Sequence, residues 1–370
     1  MINDKFVSQQ GVYLLSHSVG LPLQQAEVKA AEQYWQPWCS ADDLVWDSWL
    51  GTIEGFRLSL AVLLNTQASN LCPQTSISEA VNKVIFSLTP EPTKPIILMS
   101  EEDFPSVGFA LQQARHLGYT MRYIPRGTDL NDLTVWDSYL SADVGFVLIT
   151  QVQSNNGVQL PVAEITAMAA ERSIYSIVDA AQGVGILPVN LQQWSASFVV
   201  GSCVKWLCGG PGAAFLWVNP DIISECRPQN VGWFSHENPF EFDIHNFRLA
   251  DDALRFWGGT PSVYPFAVAQ QGVEFFVEVG IDKVRRHNLT LSDRVIECLL
   301  PGELVSPTNP EFRSGTLIIN FGDCHQRLTA VLKDHGVAFD QRDNGIRLSP
   351  HVYNTKGQID TFAELLRLHR

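Results

Sequence analysis

At 370 residues, 45% of them hydrophobic, the chain can bury a large core, and one large plus one smaller domain is the expected arrangement. A formal net charge of −14 argues against nucleic acid or an anionic membrane surface as partner. No N-terminal stretch has signal-peptide form, no run is long enough to span a bilayer, and seven irregularly spaced cysteines suit reduced thiols, so the expected location is the cytoplasm.

In chain order, residues 13–22 read as an extended stretch and residues 23–35 as a helix. A second helical pattern covers Leu44–Leu64, with Trp46, Trp49, Ile53, Phe56 and Leu60 expected on one core face. The segment Leu71–Ser78 opens another helix that runs through Ile85; its hydroxyls, Thr75 and Ser76, suit either an ordinary N-cap or a bound anion. From residue 95 strands and helices alternate: strands at Ile96–Ser100, Tyr119–Ile124, Val144–Thr150 and Ile174–Asp179, helices at Ser106–Leu117, Leu130–Leu140 and Val162–Arg172. That alternation predicts a parallel sheet covered on both faces, with ligands at the carboxyl ends of its strands. Phe104, Ser154 and Asp179 stand just past such ends. Strands at 197–201 and 213–218 follow, then helices at 262–279 and 281–299, a strand at 315–321, a helix at 325–335, two short strands and a terminal helix at 356–368.

Between two of these strands lies Gly-Ser-Cys-Val-Lys-Trp-Leu-Cys-Gly-Gly-Pro-Gly, residues 201–212. It holds Lys205 at a strand end beside turns that glycine makes cheaply. Alone, Lys205 reads as a surface lysine near a tight turn. With Asp179 at the end of the preceding strand it reads differently. An acid that keeps a pyridinium nitrogen protonated and a desolvated lysine that carries an aldehyde are what pyridoxal phosphate (PLP) requires. Cys203 and Cys208 flank the lysine without metal-ligand spacing or partners and read as packing residues; no metal is expected.

Asp179-Ala-Ala-Gln182 with Val204-Lys205-Trp-Leu-Cys-Gly-Gly-Pro-Gly212 resembles the class V branch of fold-type I PLP enzymes, and within it kynureninase, over nearly the whole chain. The resemblance implies an α/β fold: a three-layer α/β/α large domain with a mainly parallel sheet, plus a smaller α/β domain. It implies an N-terminal segment, 1–43, contributing to the small domain, a PLP-binding domain at 44–262 and a C-terminal domain at 263–370. Lys205 and Asp179 become the catalytic pair. Thr75 and Ser76 are expected on the phosphate, Phe104 of Phe104-Pro-Ser106 on the pyridine face with Ser106 beside it, and Gln182 on the phenolic oxygen. Trp233, in Gly232-Trp-Phe-Ser-His236, is expected to reach the phosphate; Thr260, after Gly258-Gly259, is expected to serve the neighbouring subunit of a homodimer with shared sites. Arg347, in the run from Asp340 to Tyr353, is expected to grip the α-carboxylate of an amino-acid substrate, as a guanidinium fork can. In the run Tyr13–Gly20, His17 stands where the family usually has Asn, and reads as a substrate contact or a generic loop histidine.

Departures fall on the reaction-specific groups. Val204 replaces the kynureninase Tyr, Val107 replaces a second Asp, Gln182 replaces a His, and Gln151-Val-Gln153-Ser154 replaces a His-x-Asn-Tyr-like run. The expected reaction is hydrolytic Cβ–Cγ cleavage of a kynurenine-type substrate; the alternatives are class V transamination and a catalytically diverged PLP-binding protein. Cysteine desulfuration needs a nucleophilic cysteine between residues 340 and 350, where there is none, and Cys324 lies earlier.

Overall fold

The structure, a computed structural model, describes residues 2–40 and 44–370. The domain boundary expected after residue 43 falls outside these. Strand β1 (Val12–Tyr13) precedes helix α1 (Ala26–Ala30), which runs through a π-helical turn, Ala31–Trp35, into α2 (Gln36–Ser40). Helix α3 (Val45–Leu64) follows from its apolar spacing: Ile53, Phe56, Leu60 and Leu64 bury one stripe, and Asn65 ends it in the left-handed region at φ 51°. Trp46 and Trp49, expected in that stripe, are only half-buried: Trp49 packs at the margin of the core and stacks on Tyr34, and Trp46 packs edge-on against Trp233.

Next come β2 (Leu71–Gln74), α4 (Ile77–Ile85), β3 (Ile96–Ser100), α5 (Pro105–Gln112), β4 (Thr120–Ile124), α6 (Leu133–Tyr139), β5 (Val144–Thr150), α7 (Val162–Glu171), β6 (Tyr175–Asp179), β7 (Phe198–Ser202) and β8 (Ala214–Val218). Seven strands form one sheet in the order β2-β8-β7-β6-β5-β3-β4. Strands β3 to β7 are parallel; β8 is antiparallel to both β7 and β2. Strand β2 was not foreseen. Its Pro73 cannot donate to a ladder, and the strand lies at the sheet edge, where such a residue is tolerated. One reversed strand thus leaves β2, β3, β5, β6 and β7 all ending on the same side.

Side chains alternate across this sheet. Val147, Ile149, Val178 and Val199 face one core with Phe56 and Phe266, while Phe146, Leu148, Ile177 and Val200 face the other with Val84 and Leu111. Helices α8 (Tyr264–Val279) and α9 (Ile281–Ile296) lead to the C-terminal part, with β9 (Leu317–Ile319), α10 (His325–Asp334), β10 (Val337–Ala338), β11 (Asp340–Arg342), β12 (Gly345–Leu348) and α11 (Lys356–His369). Strands β11, β12 and β9 form an antiparallel sheet, and β1 pairs with β10 through Val12 and Val337, so the N-terminal segment joins the C-terminal one. Among the described residues no helix is long and apolar enough to cross a membrane.

Candidate active site

The shared carboxyl edge of β2, β3, β5, β6 and β7 opens on a cavity of about 370 Å³. Each strand end delivers part of its wall: Thr75 and Ser76 after β2, Phe104 after β3, Thr150 to Ser154 at β5, Asp179 at β6, Ser202 and Lys205 at β7. Helices α4 and α5 start there, which turns their N-terminal ends toward the hydroxyls of Thr75, Ser76, Ser78, Ser106 and Ser202. Ser76 caps α4 by accepting the Glu79 N–H at 3.2 Å, Ser78 and Ser106 share a hydrogen bond of 2.7 Å, and Thr75 donates to the Glu79 carboxylate. Hydroxyls gathered at helix starts in this way suit an anion. Apart from Thr150, Ser154, Asp179, Gln182 and Lys205, the remaining wall is apolar, with Phe104, Val107, Val152, Ala181 and Val204.

Close backbone packing fixes Lys205. A Cβ on Gly20 would lie 2.1 Å from the Lys205 carbonyl oxygen, and the Gly20 N–H donates to Val204 O at 2.9 Å. A Cβ on Gly272 of α8 would lie 2.0 Å from Leu207 O. The turn is therefore clamped from both sides. Lys205 Nζ stands 5.8 Å from the Phe104 ring centroid. Burial pulls the Lys205 ammonium toward the free amine against the opposing charge of Asp179. Burial also pushes Asp179 up, opposed by Lys205 and by the Ala181 N–H that its Oδ1 accepts at 2.9 Å. Each group thus steadies the charge that burial penalises on the other.

Gln182 lines the cavity but spends part of its amide on the frame: Nε2 donates to His17 O at 2.9 Å, and Oε1 accepts from Trp206 Nε1 at 3.1 Å. Its second N–H is left for the cavity. Arg347 is 3% exposed and lies behind Ser154, whose carbonyl accepts from its Nη1 at 3.3 Å. His17 is buried and bonded to Asp340 and Ser349, and it is not among the lining side chains. Trp233 and Thr260 also lie off the lining: Trp233 packs among Trp46, Phe234, Phe240 and Phe242, and Thr260 is exposed.

Ser202 and Asp103 were missed from the sequence. Ser202, three residues before Lys205, falls just past the strand expected at 197–201 and carries no expected role, although alternation from Val200 places it on the side opposite Gly201. The Asp103 carboxylate accepts from Thr150 Oγ1 and from the Ser100 N–H, each at 2.7 Å, and Thr150 is the register partner of Asp179. Burial pushes Asp103 up to about 7. A second carboxyl therefore stands near Asp179 although position 107 is valine.

These residues fit PLP. The hydroxyl and helix-end pole suits its phosphate, Phe104 and Ala181 offer faces for a flat ring, Asp179 a carboxylate for the ring nitrogen, and Lys205 an amine for the aldehyde. Residues 49–362 match the family model described as Aminotransferase class-V. The chain is 27% identical to a kynureninase of Shouchella clausii (strain KSM-K16) over 99% of this chain and 90% of that one, and 29% identical to one of Deinococcus radiodurans over 80% and 72%. It is 25% identical to the uncharacterized aminotransferase YcbU of Bacillus subtilis (strain 168), over 85% and 83%. Among solved structures, a cysteine desulfurase of Thermococcus onnurineus NA1 superposes with TM-score 0.85 at 20% identity, covering 97% of this chain and 95% of that one. A variant of C-DES with glycine covalently linked to its PLP cofactor gives 0.86 at 19%, covering 97% and 96%. At these identities the likeness speaks for the fold, that of fold-type I PLP enzymes.

Proposed function

This chain belongs to the class-V aminotransferase family of PLP-dependent enzymes, and we propose that it cleaves the Cβ–Cγ bond of a kynurenine-type amino acid by hydrolysis. The observation that carries this reading is the meeting of Lys205, Asp179 and Phe104 in one cavity whose free wall, Val107, Val152 and Val204, suits an aryl side chain. Relatives named kynureninase, aligned over nearly the full length of both chains, support it. When bound, PLP supplies an electron sink for charge that develops at the substrate Cα. Lys205 would take the Cα proton and return one at Cβ. Asp179 would hold the ring nitrogen protonated, Thr75, Ser76 and Ser202 the phosphate, and Gln182 the phenolic oxygen. Arg347 would hold the α-carboxylate. One water adds to the side-chain carbonyl carbon, and alanine and an aryl acid leave.

A second reading, transamination, draws on Val204 and Val107. Neither valine can move a proton, and transamination needs only the lysine to do so. Among the described residues no cysteine lines the cavity, which weighs against desulfuration. The dimer belongs to the same proposal: Trp233 and Thr260, both off this cavity, would serve the neighbouring subunit. Incubation of PLP-loaded protein with L-kynurenine separates the readings. Anthranilate with alanine supports hydrolysis; pyridoxamine phosphate without anthranilate moves the assignment to transamination.

A further inference from the structure

We infer that His17 is a positioning residue for the substrate α-carboxylate, acting through Asp340 to fix which edge of the Arg347 guanidinium faces the cavity. The inference rests on the reading of Arg347 given above. Asp340 accepts from Arg347 Nε at 2.7 Å and from Nη2, so it fills one fork of the guanidinium. The other fork, Nη1 with the second hydrogen of Nη2, remains. Nη1 reaches the carbonyl of Ser154 at a long 3.3 Å, and Ser154 lines the cavity. Arg347 is not itself a lining residue; its Nη1, in the fork that Asp340 leaves, touches the lining residue Ser154, and on this proposal that fork takes the carboxylate bidentately.

Asp340 does not hold this pose by its own packing. Its side chain is 32% exposed, on a strand at the edge of its sheet. His17, 1% exposed, anchors it at 2.9 Å from Nε2 to Oδ1. The direction of this bond is forced. A carboxylate only accepts, so Nε2 carries the hydrogen. Burial, with the positive charges of Arg347 and Lys205, holds the ring neutral against the pull of Asp340, with a pKa of about 4. Nδ1 is then an acceptor, taking the Ser349 hydroxyl hydrogen at 2.5 Å. Ser349 in turn accepts from Thr316 at 2.9 Å. A directed chain of hydrogen bonds runs from the C-terminal sheet through His17 to the arginine. The His17 carbonyl also holds Gln182, so one residue ties two cavity groups to the N-terminal segment.

The test compares L-alanine with ethylamine, its decarboxylated counterpart, as ligands of PLP-loaded protein, read as dissociation constants from the change in the visible absorption band. In the unaltered protein alanine binds more tightly. In His17→Ala the ethylamine constant holds while alanine weakens about tenfold, the worth of one hydrogen bond to a charged group. Asp340→Ala removes the same link from its other end and gives the same loss of selectivity, which keeps the question open to experiment if His17→Ala does not accumulate as folded protein. Parallel weakening of both ligands, an unchanged ratio, or no preference for alanine in the unaltered protein would each overturn the proposal. Alanine is a ligand in either reaction considered above, so a protein that leaves kynurenine intact still answers this question.

Discussion

Lys205 and Asp179 sit at the ends of neighbouring strands, each partly offsetting the cost of burying the other. Lys205→Ala is expected to remove the covalently held chromophore and to cut turnover at least about a hundredfold, in line with the loss of a positioned proton-transfer group. A Lys205→Ala protein with an unchanged spectrum would contradict this. Val204→Tyr adds a phenol to the cavity wall and should raise the rate of anthranilate release at saturating kynurenine, which fluorescence follows; a slower variant counts against the hydrolase reading. Two histidines give a pH dependence whose sign is fixed. His17 and His351 are held by burial at about 4, against an ordinary 6.5. Between those values the unfolded chain binds more protons than the native one, so their contribution is present above pH 6.5 and is lost as pH falls toward 4. At pH 5 the cost is about 2 kcal/mol for each histidine. Asp103 and Asp179, pushed up by burial, act the other way over the same window, so the check is a difference: the change in melting temperature from pH 7.5 to 5.0 should be less unfavourable in His351→Gln than in the unaltered protein, and an identical change would argue that this ring is not held neutral.

The elements that aim these groups were partly legible. Strands β3 and β5 lie where their continuous apolar runs predict them, because buried parallel strands have no polar face to blur the pattern. Helix α5 gives way to a tighter 3-10 turn, Gln113–Leu117, ending at Gly118 with φ 93°, which the longer helical pattern concealed. The site divides the same way. Lys205, Asp179, Phe104, Ser106, Gln182, Thr75 and Ser76 meet in one cavity because each stands at a strand end or in the turn or helix start that follows one, and strand ends are readable. The His17–Asp340 pair, 323 positions apart, depends on β1 joining β10, and no local pattern announces that contact. Gly20 belongs to the same join. Gly20→Ala would drive a methyl into the Lys205 carbonyl, so PLP occupancy and melting temperature should both fall. A variant with full occupancy and unchanged melting would show that the clamp is dispensable. Ser76→Ala, which removes the α4 cap, should cost about 1 kcal/mol of stability and weaken PLP retention on dialysis.

Over the whole molecule, one face is unusually rich in exposed rings. Trp35, Trp38, Phe240 and Phe247 are exposed, Phe242 is 75% and Ile244 90% accessible, and Trp233 lies among them. Such a patch is what a self-associating protein covers, and Trp233 and Thr260 are the residues proposed to serve a neighbour. Sedimentation should give twice the chain mass, and Phe242→Asp should shift it toward the monomer with loss of PLP; a fully active monomer would contradict the shared site. The central claim, a Lys205-held PLP serving a kynurenine-type amino acid, is tested most directly by the visible spectrum of purified protein before and after L-kynurenine, with anthranilate fluorescence followed in the same cuvette. The account predicts a yellow protein whose band shifts on mixing as anthranilate appears. A protein that stays colourless after incubation with PLP would contradict it.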